Sequence, residues 1–101
     1  MITSKQRSYL KSMASNINTI FQIGKGGITN EICFQLSNAM EARELIKIKL
    51  LETCPTNIKE AANIIADKTG AEVVQTIGTK IVLFKVSSNE KNRKIDLKNI
   101  K

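Results

Sequence analysis

The 101-residue chain has no histidine, no tryptophan, one proline, two cysteines and only four aromatic residues. Without histidine it lacks the usual metal ligand and the usual general base near neutral pH. Cys33 and Cys54 are too few for a disulfide scaffold or for a zinc site of their own. No apolar run approaches the ~18 residues that cross a bilayer. The start, Met1-Ile2-Thr3-Ser4-Lys5-Gln6-Arg7, turns polar at once. Neither a membrane span nor a signal peptide is expected, and the expected location is cytoplasmic. A chain this short buries one core, which excludes a separate cofactor lobe. Tyr9, Phe21, Phe34 and Phe84 each fit a strand core or a helix stripe, leaving no aromatic platform on which bases could stack.

Positive charge is in excess. Sixteen basic residues oppose nine acidic ones, a net +7. Residues 1–49 hold seven basic and three acidic side chains, residues 50–86 four of each, and residues 87–101 five and two. The excess sits in the first half and in the tail. By itself this admits two readings: a polyanionic partner (nucleic acid or an acidic membrane surface), or a solvated lysine face with no partner.

The periodicity reads α-β-α-β-α-β-β. Ser4 is a candidate N-cap, and Tyr9, Leu10, Met13, Ala14 and Ile17 form one apolar face, predicting a helix over about Lys5 to Asn16. Thr19 to Ile23 is short, β-branched and aromatic, as a buried strand is. Thr29 caps a second helix with the stripe Ile32, Cys33, Leu36, Ala39 and Met40. From Leu45 to Leu51 the period changes to two, with Lys47 and Lys49 alternating against Ile46, Ile48 and Leu50. Asn57 and Glu60 resemble a capping box opening a third helix with the stripe Ile58, Ala61, Ala62 and Ile65. Gly70 suits its left-handed C-cap. Glu72 to Ile77 and Lys80 to Val86 read as a hairpin through Gly78-Thr79. Ile81 to Phe84 are apolar at both parities, so both faces of that strand should be covered. The expected fold is a single α/β domain over 1–86, a mixed four-stranded sheet with three helices, followed by a basic tail over 87–101. In the tail Ile95 and Leu97 either pair or dock, or belong to a solvated arm.

Catalysis finds little support. Neither cysteine has a base beside it in sequence, and Cys33 lies on a core stripe. Glu41 and Glu44, three apart at a helix end, read as a solvated edge. Gly24-Lys25-Gly26-Gly27 lacks the spacing of a Walker loop. It does lie between a strand and a helix, where glycines admit close backbone approach and helix amides favour an anion. A GxxG loop clamps the nucleic-acid backbone in KH domains; the alternative is an ordinary turn. Lys47 and Lys49 could likewise be a wet face or a protected edge.

Leu10 to Ala14, Gln22-Ile23-Gly24-Lys25-Gly26-Gly27-Ile28-Thr29 and Ala42-Arg43-Glu44-Leu45-Ile46-Lys47-Ile48-Lys49 together resemble the YhbY-type CRM domain, named for chloroplast RNA splicing and ribosome maturation. Thr69-Gly70-Ala71-Glu72-Val73-Val74-Gln75 and Ile77-Gly78 with Ile81-Val82-Leu83-Phe84 extend the resemblance over about residues 3–86. After Gly78 the family usually has Arg-Thr; here Thr79-Lys80 places the charge one residue later. The resemblance implies an RNA-binding domain similar in fold to the C-terminal domain of bacterial translation initiation factor three. Stand-alone bacterial members of that family are associated with precursors of the large ribosomal subunit, and plant members with intron splicing.

The expectation is a non-enzymatic RNA-binding protein that binds precursor large-subunit ribosomal RNA. The backbone of Gly24, Gly26 and Gly27 would approach phosphate, and Lys25 would contact it. Lys5, Arg7, Lys11, Lys47 and Lys49 would form a basic surface, and Arg43 is the weaker member of the RNA-binding set because Glu41 and Glu44 could pair with it. No cofactor, metal, membrane or small-molecule substrate is expected. Two rivals are a splicing or RNA-chaperone role for the same surface, and a protein-interaction module acting through its sheet edge.

Overall fold

The computed structural model describes residues 2–89 and 91. Its elements are α1 (Ser4–Ala14), β1 (Thr19–Ile23), α2 (Asn30–Arg43), β2 (Leu45–Leu50), α3 (Ile58–Thr69), β3 (Glu72–Ile77) and β4 (Lys80–Phe84). The expected order and the mixed four-stranded sheet are both present. Three local boundaries move. The N-cap of α1 is Thr3 rather than Ser4, because Thr3 and Gln6 close a reciprocal capping box. The helix ends at Ala14, where the amides of Asn16 and Ile17 donate three residues back to the Met13 and Ala14 carbonyls (3.1 and 3.3 Å). β4 stops at Phe84: the Lys85 amide adds one last in-register bond to the Glu44 carbonyl (3.1 Å), and its partner strand begins there at the positive-φ turn of Glu44. Thr29, Asn57 and Gly70 cap as expected, Gly70 with φ +76.

The strand order is β1-β2-β4-β3. β1 and β2 pair in parallel, while β4 lies antiparallel between β2 and β3. The hairpin's second strand thus takes a central position and its first strand the edge. The composition explains this. Ile81, Val82, Leu83 and Phe84 are all buried, so β4 needs cover on both faces and both edges, whereas β3 ends in exposed Thr76 and Ile77.

The two faces carry different layers. Ile46, Ile48, Leu50, Ile81 and Leu83 meet α2 and α3 through Leu36, Met40, Ala61 and Ile65. On the other face Leu45, Val74, Val82 and Phe84 meet Leu10 and Ala14 of α1. One helix covers only part of a four-stranded face, so among the described residues the rest of that face stays open. Cys33 is buried as expected, and burial raises its thiol pKa against a smaller opposing effect of Lys68. Phe34 and Tyr9 depart from expectation: Phe34 is 67% exposed on α2, and Tyr9 is 44% exposed on α1. Each lies on the rim of its helix, one position beyond the stripe the sheet can reach.

Glu41 and Glu44 are not a solvated edge. Glu44 is fully buried and has φ +64, the one positive φ among the described non-glycine residues. It makes the helix-to-strand turn in a single residue, its amide donating to the Met40 carbonyl (2.7 Å) and its carboxylate accepting from the Ser87 amide (3.0 Å). Glu41 accepts from the Ser88 hydroxyl and from the amides of Ser88 and Asn89. Two carboxylates therefore fasten residues 87–89 to the end of α2. Those bonds, the Ser88 hydroxyl first, hold the Glu41 carboxyl below its ordinary pKa against an opposing push from burial. A depressed carboxylate pKa contributes stability above the unfolded value that is lost as pH falls through the folded one. The latch is thus expected to loosen on acidification below the ordinary glutamate range. A chain ending at Val86 is expected to unfold at lower urea than one ending at Asn89. Glu44→Ala should cost about 1.5–3 kcal/mol, the range for a hydrogen bond to a charged group. The same urea midpoint after both changes would remove the latch from the fold's stability. The expectation for Ile95 and Leu97 lies outside the described residues.

Candidate nucleic-acid interface

The open part of the α1-side sheet face is where β2, β4 and β3 present one parity of side chains. Cα partners in register are Lys47 with Val82 and Lys49 with Lys80, then Gln75 with Val82 and Ile77 with Lys80. Residues directly opposite on antiparallel strands share a face. Lys49 and Lys80 are therefore like charges set side by side, with Lys47 two residues along and Gln22 of β1 beside Lys49. Lys11 reaches the same area from α1: a cleft of about 400 Å³ is lined by Lys11, Ala14, Lys47, Gln75, Ile77 and Val82, together with Ser8 and Ser12 of α1 and its C-cap Ser15. Opposed like charges destabilise a sheet unless a counter-charge sits between them. Lys80 was absent from the sequence-derived set. Its parity with Val82 and Phe84 placed it on this face; only its pairing with Lys49 showed what it adds.

The glycine loop stands at the same end of the sheet, after β1 and beside the β2–α3 connection. The Gly27 amide donates to the Gly24 carbonyl (3.0 Å), closing a turn with Lys25 and Gly26 at its exposed tip. The glycines divide in role. A Cβ on Gly24 would meet Leu51 Cδ1 and Thr53 Oγ1, each at 3.3 Å. Gly27 has φ +70, and a Cβ there would lie 3.3 Å from Pro55 Cγ. Of the three loop glycines, Gly26 is the one where an added Cβ meets nothing within 4 Å among the described residues. At the start of α2, the Thr29 side chain already accepts from the Ile32 amide (3.1 Å). The loop thus keeps Gly24 and Gly27 for its own packing and offers Lys25 and Gly26 outward.

The remaining basic residues lie apart. Lys5 is exposed in the first turn of α1, near the opposite end of the sheet, where Ile2 and Gln6 line a cleft with Glu72 and Phe84. Arg43 is exposed at the end of α2 and lines a separate cleft with Asn16, Asn18 and Ile20. Arg7 is half-buried, and its Nη1 donates to the carbonyls of Val73 and Val74 (3.1 Å for Val74). There the register of β3 against β4 shifts between Val73 and Gln75. A bulge leaves carbonyls outside the ladder, and Arg7 supplies donors for them while tying α1 to the edge strand. Arg7→Ala is expected to destabilise by about 1.5–3 kcal/mol. Unchanged thermal unfolding of that variant would show the contact to be idle.

Fold and surface together define a small α/β module with an open, lysine-rich sheet face and an exposed glycine turn at one end. Residues 2–85 match the CRS1/YhbY (CRM) domain family, and the chain belongs to that family. It is 40% identical over 97 residues to a Bacillus subtilis (strain 168) protein with the name Probable RNA-binding protein YqeI, covering 96% of this chain and 99% of that one. It is 32% identical over 90 residues to an RNA-binding protein of Haemophilus influenzae, covering 89% and 91%. The solution structure of a hypothetical Staphylococcus aureus protein, described as a candidate RNA binder, superposes with a TM-score of 0.77 at 42% identity. That match covers 95% of this chain and all of the other. Among the described residues no helix is long and apolar enough to cross a membrane, and no cluster of three or more metal-ligating side chains occurs.

Proposed function

We propose that this protein binds RNA without catalysis, through the open sheet face and the tip of the glycine turn. The observation that carries the reading is the Lys49–Lys80 pair. The fold holds two cations opposite each other, with Lys47 and Lys11 alongside, and a phosphate strand offsets that repulsion. The RNA-binding relatives, similar over nearly their whole length, support the same partner. In the finer reading the RNA is precursor large-subunit ribosomal RNA, bound in the cytoplasm during subunit assembly. It rests on the resemblance to stand-alone bacterial members of the family. Lys25, Lys11, Lys47, Lys49 and Lys80 make the phosphate contacts, with Gly26 admitting the backbone, while Lys5 and Arg43 serve more distant phosphates.

The test is the salt dependence of RNA affinity. With about four to six phosphates engaged, log K should fall with log salt with a slope on the order of −3 to −5. A flat dependence would remove the electrostatic basis of the reading. Crosslinking in cells followed by sequencing decides the target: dominance of mature messenger or intron RNA over ribosomal precursors would reject the assembly role.

A further inference from the structure

Between α1 and the sheet the interface has a floor that phosphates cannot use. The cleft of about 400 Å³ has Val82 and Ala14, both buried, at its base and Ile77 as a wall. Ile77 is 54% exposed, an uncovered β-branched side chain on the edge strand. Lys11, Lys47 and Gln75 complete the lining together with Ser8, Ser12 and Ser15. Beyond it, two residues along the strands and on the same face, stand Lys49 and Lys80, with Ile77 the cross-strand partner of Lys80.

We infer that this cleft takes one unpaired nucleotide of a single-stranded RNA segment, its base against Ile77 and Val82 and its flanking phosphates on the lysine rim. The inference rests on the RNA-binding reading and narrows it to a substrate class. An apolar floor inside a ring of cations is complementary to a group that is both flat and anionic at its ends. A nucleotide is such a group; an extended acidic peptide would leave the floor uncovered. In an A-form duplex the bases are stacked inward, and the outer surface presents phosphates and ribose hydroxyls. A duplex could satisfy Lys49 and Lys80 but would bridge over the cleft. A splayed strand fills both. Gln75 carries a donor and an acceptor, so it can meet a base edge of either kind.

Fluorescence anisotropy with the full chain tests this, using three probes of equal length. They are a mixed-sequence ten-nucleotide single strand, its fully abasic counterpart with every phosphate retained, and a ten-base-pair RNA duplex. The single strand is expected to bind about tenfold more tightly than the abasic strand and the duplex. Ile77→Ala, at a half-exposed position outside the buried core, should weaken the single strand about fivefold. It should leave the abasic strand and the salt slope unchanged. Lys47→Gln should instead weaken all three probes and flatten the slope. Equal binding of the intact and abasic strands, or preference for the duplex, would overturn the cleft as a base site while leaving RNA binding in place. Failure of all three probes to bind would overturn the RNA reading itself, and the cleft's role with it.

Discussion

Gly26→Asp is expected to abolish most RNA affinity while leaving the fold intact, and Gly27→Asp to damage the fold first. The positions are adjacent, but their surroundings differ. At Gly26 a side chain meets nothing within 4 Å, so the added carboxylate projects from the tip beside Lys25. There it repels the phosphate that Lys25 attracts and occupies the space the backbone would use. A loss of one to two decades in affinity is expected, on the order of 1.4–2.7 kcal/mol. At Gly27 the backbone is left-handed, which costs an L-residue roughly 1–2 kcal/mol. Pro55 stands 3.3 Å from the new Cβ and must give way as well. Lys25→Ala is the matched control, removing one contact at about 0.5–1.5 kcal/mol. Circular dichroism melts together with anisotropy titrations separate these cases. Normal RNA binding by a folded Gly26→Asp protein would remove the turn from the interface.

The second large effect should run in opposite directions for folding and binding. Lys49→Gln with Lys80→Gln removes the facing cations while keeping much of each side-chain stem. Relief of the like-charge pair should leave stability equal or raise it by about 0.2–1 kcal/mol. The salt slope should become shallower by about 1.4–1.8, and affinity at low salt should drop at least tenfold, roughly 1.4 kcal/mol or more. Urea unfolding and titrations at several salt concentrations read both quantities on the same protein. Lower stability together with undiminished affinity would mean that these lysines belong to the sheet and not to a ligand site.

Arg7 and Lys11 show how far a sequence carries such assignments. Both lie on the polar side of α1, four residues apart, and charge alone gave them one role. In the structure Lys11 borders the cleft, whereas Arg7 is turned onto the carbonyls of a bulge 66 residues away. The glycine run was legible as a turn between a strand and a helix, but not its division into two packed positions and one open one. That depends on Leu51, Thr53 and Pro55, which arrive from the β2–α3 connection. Glu44 carried a weak sign of its role: helix and strand are separated by that one residue, which must then turn the chain. Its burial could not be read locally, because its partner Ser87 lies 43 residues further on.

The sequence by itself determined the seven elements, the caps of α2 and α3, and the inward stripe of each helix apart from Tyr9 on α1. These follow from interactions within a few residues: side-chain period, a hydroxyl or amide at an N-cap, a glycine where φ must be positive. It also determined family membership through the glycine turn and the Arg43 to Lys49 block. Only the tertiary structure decided that β4 lies between β2 and β3, and from that the rest of the surface follows. With β4 in the centre, Lys80 falls opposite Lys49, Ile77 is left on an edge, and one helix is too narrow to cover the face they share. Strand order is set by which strand most needs cover on both sides, a competition among all four strands that no local window contains.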